Sequence, residues 1–426
     1  MKVLWINYRY FVSGGPETYM FAATDLLERA GHDVIPFSLR YSRNRETPWA
    51  GFFADPIAGD DEVNFSDQSR SVRTVTRGLQ RSFYAPDVRD AVSRIIGVAK
   101  PDVAMVQHYL RHLSPSVLVA LKRAGVPIVV RLSDFGMVCP KSVMLRDGRI
   151  CRSCVTLGLL SSVRYRCVRD SLPVSVVACA SLIFVRWRKF FDLIDCFIAP
   201  SAIMREEMIA GGYDGSRIVV VPTFVDATGF DVARARDRRI VYVGRLSPEK
   251  GLHVLLDGFE RMRREPRLRD VELHIVGDGD PAYRSGLVSL GRSMGRLVKF
   301  TGPLGAQAVR DTLATSLLSA VPSMCYENLP NSMLESLAAG TPVVASDLGS
   351  MGDVLRGTNA GLLFRPGDAN DLAAGLTSLL LDPDRVRRMS KSARTLAESR
   401  YSPDKHLSSL LDVFERVIAG ATMNED

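Results

Sequence analysis

Between residues 316 and 346 the chain reads as an apolar run, a loop, a helix and a second apolar run. This unit leaves few folds open. Residues 316–322 and 341–346 are short, apolar and bounded by turn residues, as strands buried in a parallel sheet are. Between them lies Glu327-Asn328-Leu329-Pro330-Asn331-Ser332-Met333-Leu334-Glu335. Pro330 suits a first helical position, and Gly340 with Pro342 marks the stop. Leu334, Leu337 and Ala338 make the helix a buried one, not a solvated face. Glu327 therefore falls in a loop at the carboxyl end of a strand, and Glu335 inside the following helix. Open parallel sheets bind ligands at that edge.

The same alternation runs along most of the chain. Strands are expected at 2–7, 34–37, 102–106 and 127–132, with a helix over 18–30 ending at Gly31. A second series opens at Arg239, with strands at 240–244, 271–276 and 297–300 and a helix over 252–264. Alternating strands and helices argue for parallel α/β sheets. The chain, 426 residues long, exceeds one ordinary core. Residues 1–225 are expected to form a first domain and 226–404 a second, with a hinge in the apolar-poor segment 226–238. A helix over 405–426, after the break at Tyr401-Ser402-Pro403, is expected to pack back on the first domain. Residues 41–85 are polar and irregular and read as long loops. No run of 18 or more uncharged apolar residues occurs, so no transmembrane helix is expected. The start resembles a first strand and lacks a signal peptide's apolar stretch, which points to the cytoplasm.

The chemistry of the two motifs is specific. In Val243-Gly244-Arg245-Leu246-Ser247-Pro248-Glu249-Lys250-Gly251 a strand ends, two cations follow five residues apart, and a helix begins. Two fixed positive charges there can hold a diphosphate and neutralise it as it leaves. A helix start beside Glu327 offers N–H groups and the positive end of a dipole to the same phosphates. The two carboxylates can then meet hydroxyls of a sugar and of a ribose. Gly14-Gly15, after the first strand, lets backbone approach such a ligand closely. A net charge of +8 and a pI near 9.2 favour anionic partners. Nucleic acid is not expected among them, because no recognition motif is present and the charges are scattered.

On Gly14-Gly15-Pro16-Glu17, the 243–251 motif and the 327–335 motif, the chain resembles the family 4 retaining glycosyltransferases of the GT-B fold. The resemblance implies an α/β protein with two Rossmann-like lobes, parallel sheets facing a central cleft, and a terminal helix crossing back to the first lobe. It implies transfer of a hexose-type sugar, with retention, from a nucleotide-diphosphate sugar to a glycan or lipid-linked acceptor. Surface polysaccharide or glycolipid synthesis is the setting expected, and no catalytic metal or cofactor. Arg245 and Lys250 would bind the diphosphate, Glu335 the ribose, and Glu327 would contact the sugar ring and stabilise its developing positive charge. The amides of Leu329 and Asn331 would hold phosphate or sugar oxygens, and Gly15, with Gly14 beside it, would approach from the first lobe. Where that family often has His-Asp, this chain reads Ser133-Asp134; the pair can contact donor or acceptor, but the serine cannot act as an imidazolium. A catalytically silent scaffold or sugar-nucleotide sensor is the alternative from another class.

Two further features lie in the first lobe. Cys139, Cys151, Cys154 and Cys167 are spaced C-x11-C-x2-C-x12-C among basic residues, a pattern that can form a structural zinc site. Cys179, Cys196 and Cys325 read as small core residues. Residues 172–185 are mostly apolar, flanked by Arg164, Arg166 and Arg169 on one side and Arg186, Arg188 and Lys189 on the other. That stretch is too short to span a bilayer; it can lie on the anionic inner face of a membrane or serve as a buried helix.

Overall fold

The computed structural model describes residues 1–58, 72–231 and 236–420. Two six-stranded sheets dominate it, and every pairing within them is parallel. The strands are β1 (Lys2–Ile6), β2 (Asp33–Phe37), β3 (Val103–Val106), β4 (Ile128–Arg131), the hairpin β5 (Leu145–Arg146) with β6 (Arg149–Ile150), β7 (Cys196–Ala199) and β8 (Ile218–Val220). The second lobe adds β9 (Asp237–Val243), β10 (Glu272–Val276), β11 (Val298–Gly302), β12 (Ser316–Val321), β13 (Val343–Ser346) and β14 (Gly361–Phe364). Spatial order is β2-β1-β3-β4-β7-β8 in one sheet and β11-β10-β9-β12-β13-β14 in the other. Each order reverses direction once, between β1 and β3 and between β9 and β12. Crevices open at such points beyond the strands' carboxyl ends.

The cores follow from the two-residue period of a strand. Leu4 and Ile6 of β1 join one buried cluster, while Val3 and Trp5 join another on the opposite face. That second cluster is completed from far along the chain: Leu410, Val413, Phe414 and Val417 of the helix Pro403–Ile418 pack into it. The helix expected over 405–426 thus does return to the first lobe, starting two residues earlier; residues 421–426 lie outside the described ones. The chain passes between lobes at two adjacent places, and the Val225 amide donates to the Tyr401 carbonyl at 2.9 Å where they meet.

His406 fixes the returning helix. Its Nδ1 lies 2.7 Å from the Pro222 carbonyl and its Nε2 3.0 Å from the Tyr19 hydroxyl. Burial, with Arg131 nearby, lowers its pKa from 6.5 to about 4. The unfolded chain therefore binds the proton first on acidification, and stability present above pH 6.5 is lost as pH falls toward 4. Between pH 7 and 5 this one group is expected to cost about 2 kcal/mol. Thermal melts at the two pH values check it: His406→Gln is expected to remove much of the difference.

Residues 41–85 are not all loop. A helix, Val72–Phe83, occupies the end of that stretch, while 59–71 lie outside the described residues. The fully buried Arg81 holds this helix, its guanidinium donating to the Asp55 carbonyl and to Asp87, both at 2.8 Å. Val75 and Leu79 of this helix are exposed while Arg81 is buried, so its apolar spacing does not mark its inner face. Pro330 sits one position before its helix, Asn331–Ala338, as the capping residue. Part of the expected hinge, 232–235, also lies outside the described residues.

Candidate functional site

The loops beyond β9 and β12 are held together by backbone. Gly251 has φ +70, and a Cβ built there would lie 1.9 Å from the Pro322 carbonyl oxygen. Beside it, the Met324 amide donates to the Glu249 carbonyl at 2.8 Å. This close approach sets Lys250 against Glu327: Nζ lies 2.6 Å from Oε1, which also accepts from the Ser323 hydroxyl at 2.6 Å. Burial works against the Lys250 charge, but the Glu327 carboxylate prevails and its pKa is raised. Among the described residues nothing bonds Glu327 Oε2. Arg245 is more open and pairs with Glu249 at 2.8 Å. Ser247 bonds that same carboxylate, and despite burial Glu249 is held below the usual carboxylate range.

The helix Asn331–Ala338 buries Met333, Leu334, Leu337 and Ala338, as its pattern requires. Glu335 lies half-buried on its remaining side. No hydrogen bond reaches its carboxylate among the described residues, and burial raises its pKa although Arg310 opposes this. The amides of Asn328, Leu329 and Asn331 likewise make no backbone hydrogen bond among the described residues. A carboxylate and a set of N–H groups thus stand ready for hydroxyls and anionic oxygens.

The first lobe faces this wall directly. Asn331 Nδ2 donates to the Gly15 carbonyl at 3.3 Å, and Asn328 Nδ2 donates to the Ser133 carbonyl. The Phe135 and Tyr326 rings stand 6.0 Å apart across the same gap. Gly14 caps the helix Gly15–Arg29 in an extended conformation. Beyond β3 and β4 lies a cleft of about 180 Å³, lined by Tyr8, His108, Arg111, His112, Ser133 and Asp134 among others. Several polar atoms on or beside it are buried without partners: Ser133 Oγ, His108 Nδ1, the Tyr109 hydroxyl and Asn328 Oδ1. His108 Nε2 lies 3.8 Å from Asp134 Oδ2. His112 stacks on Tyr8 with ring centres 4.0 Å apart, and burial, with Arg9 and His108 adding to it, lowers its pKa to about 3, so it is neutral at pH 7.

The structure therefore sets Gly15 against Asn331, Ser133 against Asn328 and Lys250 against Glu327, with Gly14, Asp134, Arg245, Leu329 and Glu335 on the same loops and helices. Sequence reasoning missed His108 and His112. Their signal is position alone, in the loop beyond the apolar residues of β3, at the sheet's reversal point.

The four cysteines are free thiols, as are Cys179, Cys196 and Cys325, all three of which are buried. Cys139 and Cys154 share a hydrogen bond that holds the first thiol down and pushes the second up. Among the described residues no group of three or more His, Cys, Asp or Glu is arranged to hold a metal ion. All four thiols nonetheless lie near one another, since Cys139, Cys151 and Cys167 each act on the Cys154 thiol and push it up.

Two lobes with parallel sheets whose carboxyl edges meet over a polar crevice define a GT-B protein. Solved structures agree on the fold. A sucrose-phosphate synthase from Thermosynechococcus elongatus superposes with TM-score 0.70 at 16% identity, over 99% of this chain and 100% of that one. HepE of Anabaena in complex with UDP-glucose does so with TM-score 0.64 at 17% identity, over 97% and 99%. Residues 14–223 match the glycosyl transferase 4-like domain, and residues 237–382 match glycosyl transferases group 1. The chain belongs to the group 1 glycosyl transferases. A glycogen synthase of Mycobacterium tuberculosis is 31% identical over 214 residues, 49% of this chain and 50% of that one. A phosphatidyl-myo-inositol mannosyltransferase of the same organism is also 31% identical over 214 residues, 48% and 55%. The chain thus spans about half the length of the curated relatives it matches. No described helix is long and apolar enough to cross a membrane.

Proposed function

We propose that this protein is a retaining glycosyltransferase that moves a hexose from a nucleotide-diphosphate sugar to a glycan or lipid-linked acceptor in surface polysaccharide or glycolipid synthesis. The observation that carries the reading is the Lys250–Glu327 pair at 2.6 Å, set at the mouth of a helix with unbonded amides and opposite a polar cleft. Lys250 and Arg245 hold the diphosphate, aided by the Leu329 and Asn331 amides; Gly15 closes on it from the first lobe. Glu335 accepts from the ribose hydroxyls. Glu327 lies against the sugar ring and opposes the positive charge that grows at C1 as its bond to the diphosphate breaks. The acceptor hydroxyl, approaching from the cleft beside Ser133 and Asp134, bonds to C1 on the same face, and its proton passes to a leaving phosphate oxygen. Orientation and fixed charges then supply most of the rate. Names among the relatives support the substrate class: HepE was solved with UDP-glucose, and one curated match is a mannosyltransferase of a phosphoinositide.

A panel of nucleotide sugars, followed by nucleoside diphosphate release with and without lipid acceptor, tests the reading. Release from no donor under any condition, with diphosphate binding intact, would favour the silent sensor instead. Glu335→Ala is expected to weaken nucleoside diphosphate binding about tenfold or more. Inorganic pyrophosphate, which has no ribose, should bind the variant as it binds the parent in competition assays.

A further inference from the structure

The helix Leu172–Trp187 is built inside out. Its buried face carries Ser175 and Ser181 beside Ala178, Cys179, Leu182 and Val185. Both serines are spent on backbone: the Val168 amide donates to Ser175 Oγ at 3.0 Å, and Ser181 Oγ donates to the Ser82 carbonyl. The outward stripe, at spacings of three and four, is Pro173, Val176, Ala180, Ile183 and Trp187, all exposed. Trp187 is 72% exposed, and Leu157 and Leu160 on the preceding turns are 76% and 69% exposed. A helix apolar on every side normally lies wholly inside a protein, and scattered single leucines would need no account, but a continuous set of this kind does.

Charge decides what covers it. Arg164, Arg166, Arg169, Arg188 and Lys189 are exposed around the two ends of this stripe, and from 157 to 189 Asp170 is the only acid. A second copy of the chain would bring these cations against their like. An anionic bilayer instead takes the apolar stripe among its acyl chains while its headgroups meet the rim. The same helix is bonded to the cleft: Arg186 donates to the Met137 carbonyl at 3.0 Å, and Met137 lines the cleft beside Ser133 and Asp134.

We propose that the outward face of Leu172–Trp187, with Leu157, Leu160 and the surrounding arginines, docks on an anionic membrane and so presents the first-lobe cleft to an acceptor held in the bilayer. Docking itself needs no transfer activity; only its link to the acceptor rests on the reading above. The full chain is mixed with vesicles of equal parts phosphatidylglycerol and phosphatidylcholine, or of phosphatidylcholine alone, and sedimented at low and high salt. Binding is expected to the anionic vesicles, to fall with salt, and to be accompanied by a blue shift of Trp187 fluorescence. Ile183→Glu with Trp187→Glu should reduce the partition coefficient at least tenfold, as should Arg164→Glu with Arg166→Glu. All four positions are exposed or on the rim, and unchanged nucleoside diphosphate affinity by calorimetry confirms that each variant is folded. No pelleting with anionic vesicles at low salt overturns the proposal. So does pelleting that the Ile183/Trp187 variant does not lower, or a dimer in sedimentation velocity that Trp187→Glu dissociates. Failure of diphosphate binding in the parent chain would count against the glycosyltransferase reading and leave the docking result standing.

Discussion

Lys250→Ala is expected to weaken nucleoside diphosphate binding by more than tenfold. Lys250 Nζ is the charge that the loop beyond β9 delivers to the crevice, and its partner Glu327 is only 13% exposed. Removing the ammonium has two costs. The bound phosphate loses a charge-assisted hydrogen bond, about 1.5–3 kcal/mol. Glu327 keeps only the Ser323 hydroxyl on Oε1, so an uncompensated negative charge then faces the incoming anion. Because the pair is largely screened from water, high salt should not erase the difference. Lys250→Arg should rescue poorly, since a planar guanidinium cannot replace a point charge wedged beside Ser323. Titration calorimetry with the diphosphate decides the matter; equal affinity in Lys250→Ala and parent would remove the clamp from the mechanism.

Gly251→Ala is expected to damage fold and site together. A non-glycine residue at φ +70 is strained, and the new methyl group would lie 1.9 Å from the Pro322 carbonyl oxygen, which belongs to the backbone and has nowhere to turn. Strain and overpacking together should cost about 3 kcal/mol. For a lobe of this size that is a fall in Tm of roughly 6–12 °C. The loops beyond β9 and β12 would part, so diphosphate binding should fall even well below the new Tm. Gly97→Ala is the control: it lies in the helix Pro86–Ala99 with nothing within 4 Å of the built Cβ, and should be neutral or slightly stabilising. Equal melting temperatures for the two variants would mean that the loops can separate freely.

The second lobe was legible because its chemistry is written in order. Strand, cation loop and helix repeat as strand, acid loop and helix, and a parallel sheet brings both loops to one edge. The bounds of β9, β10 and β12 fall within a few residues of the expected runs. The first lobe hides its chemistry. His108 and His112 have no motif around them; they matter only because the strand order reverses between β1 and β3 beside them. Val72–Phe83 was hidden because its anchor, Arg81, belongs to the residue types that hydropathy assigns to water. Leu172–Trp187 was found as an apolar stretch, but composition has no direction. Only the burial of Ser175 and Ser181 tells which side faces out.

The paired crossings at Val225 and Tyr401 have a mechanical consequence. Two tethers side by side behave like the pins of a door: they permit swing about one line and resist sliding or twisting. A cut in either tether should leave the halves joined by the other, with Phe414 and its neighbours still seated in the first lobe's interior. New ends placed in one crossing by circular permutation should then preserve the jaws' alignment, whereas detaching the returning helix should not.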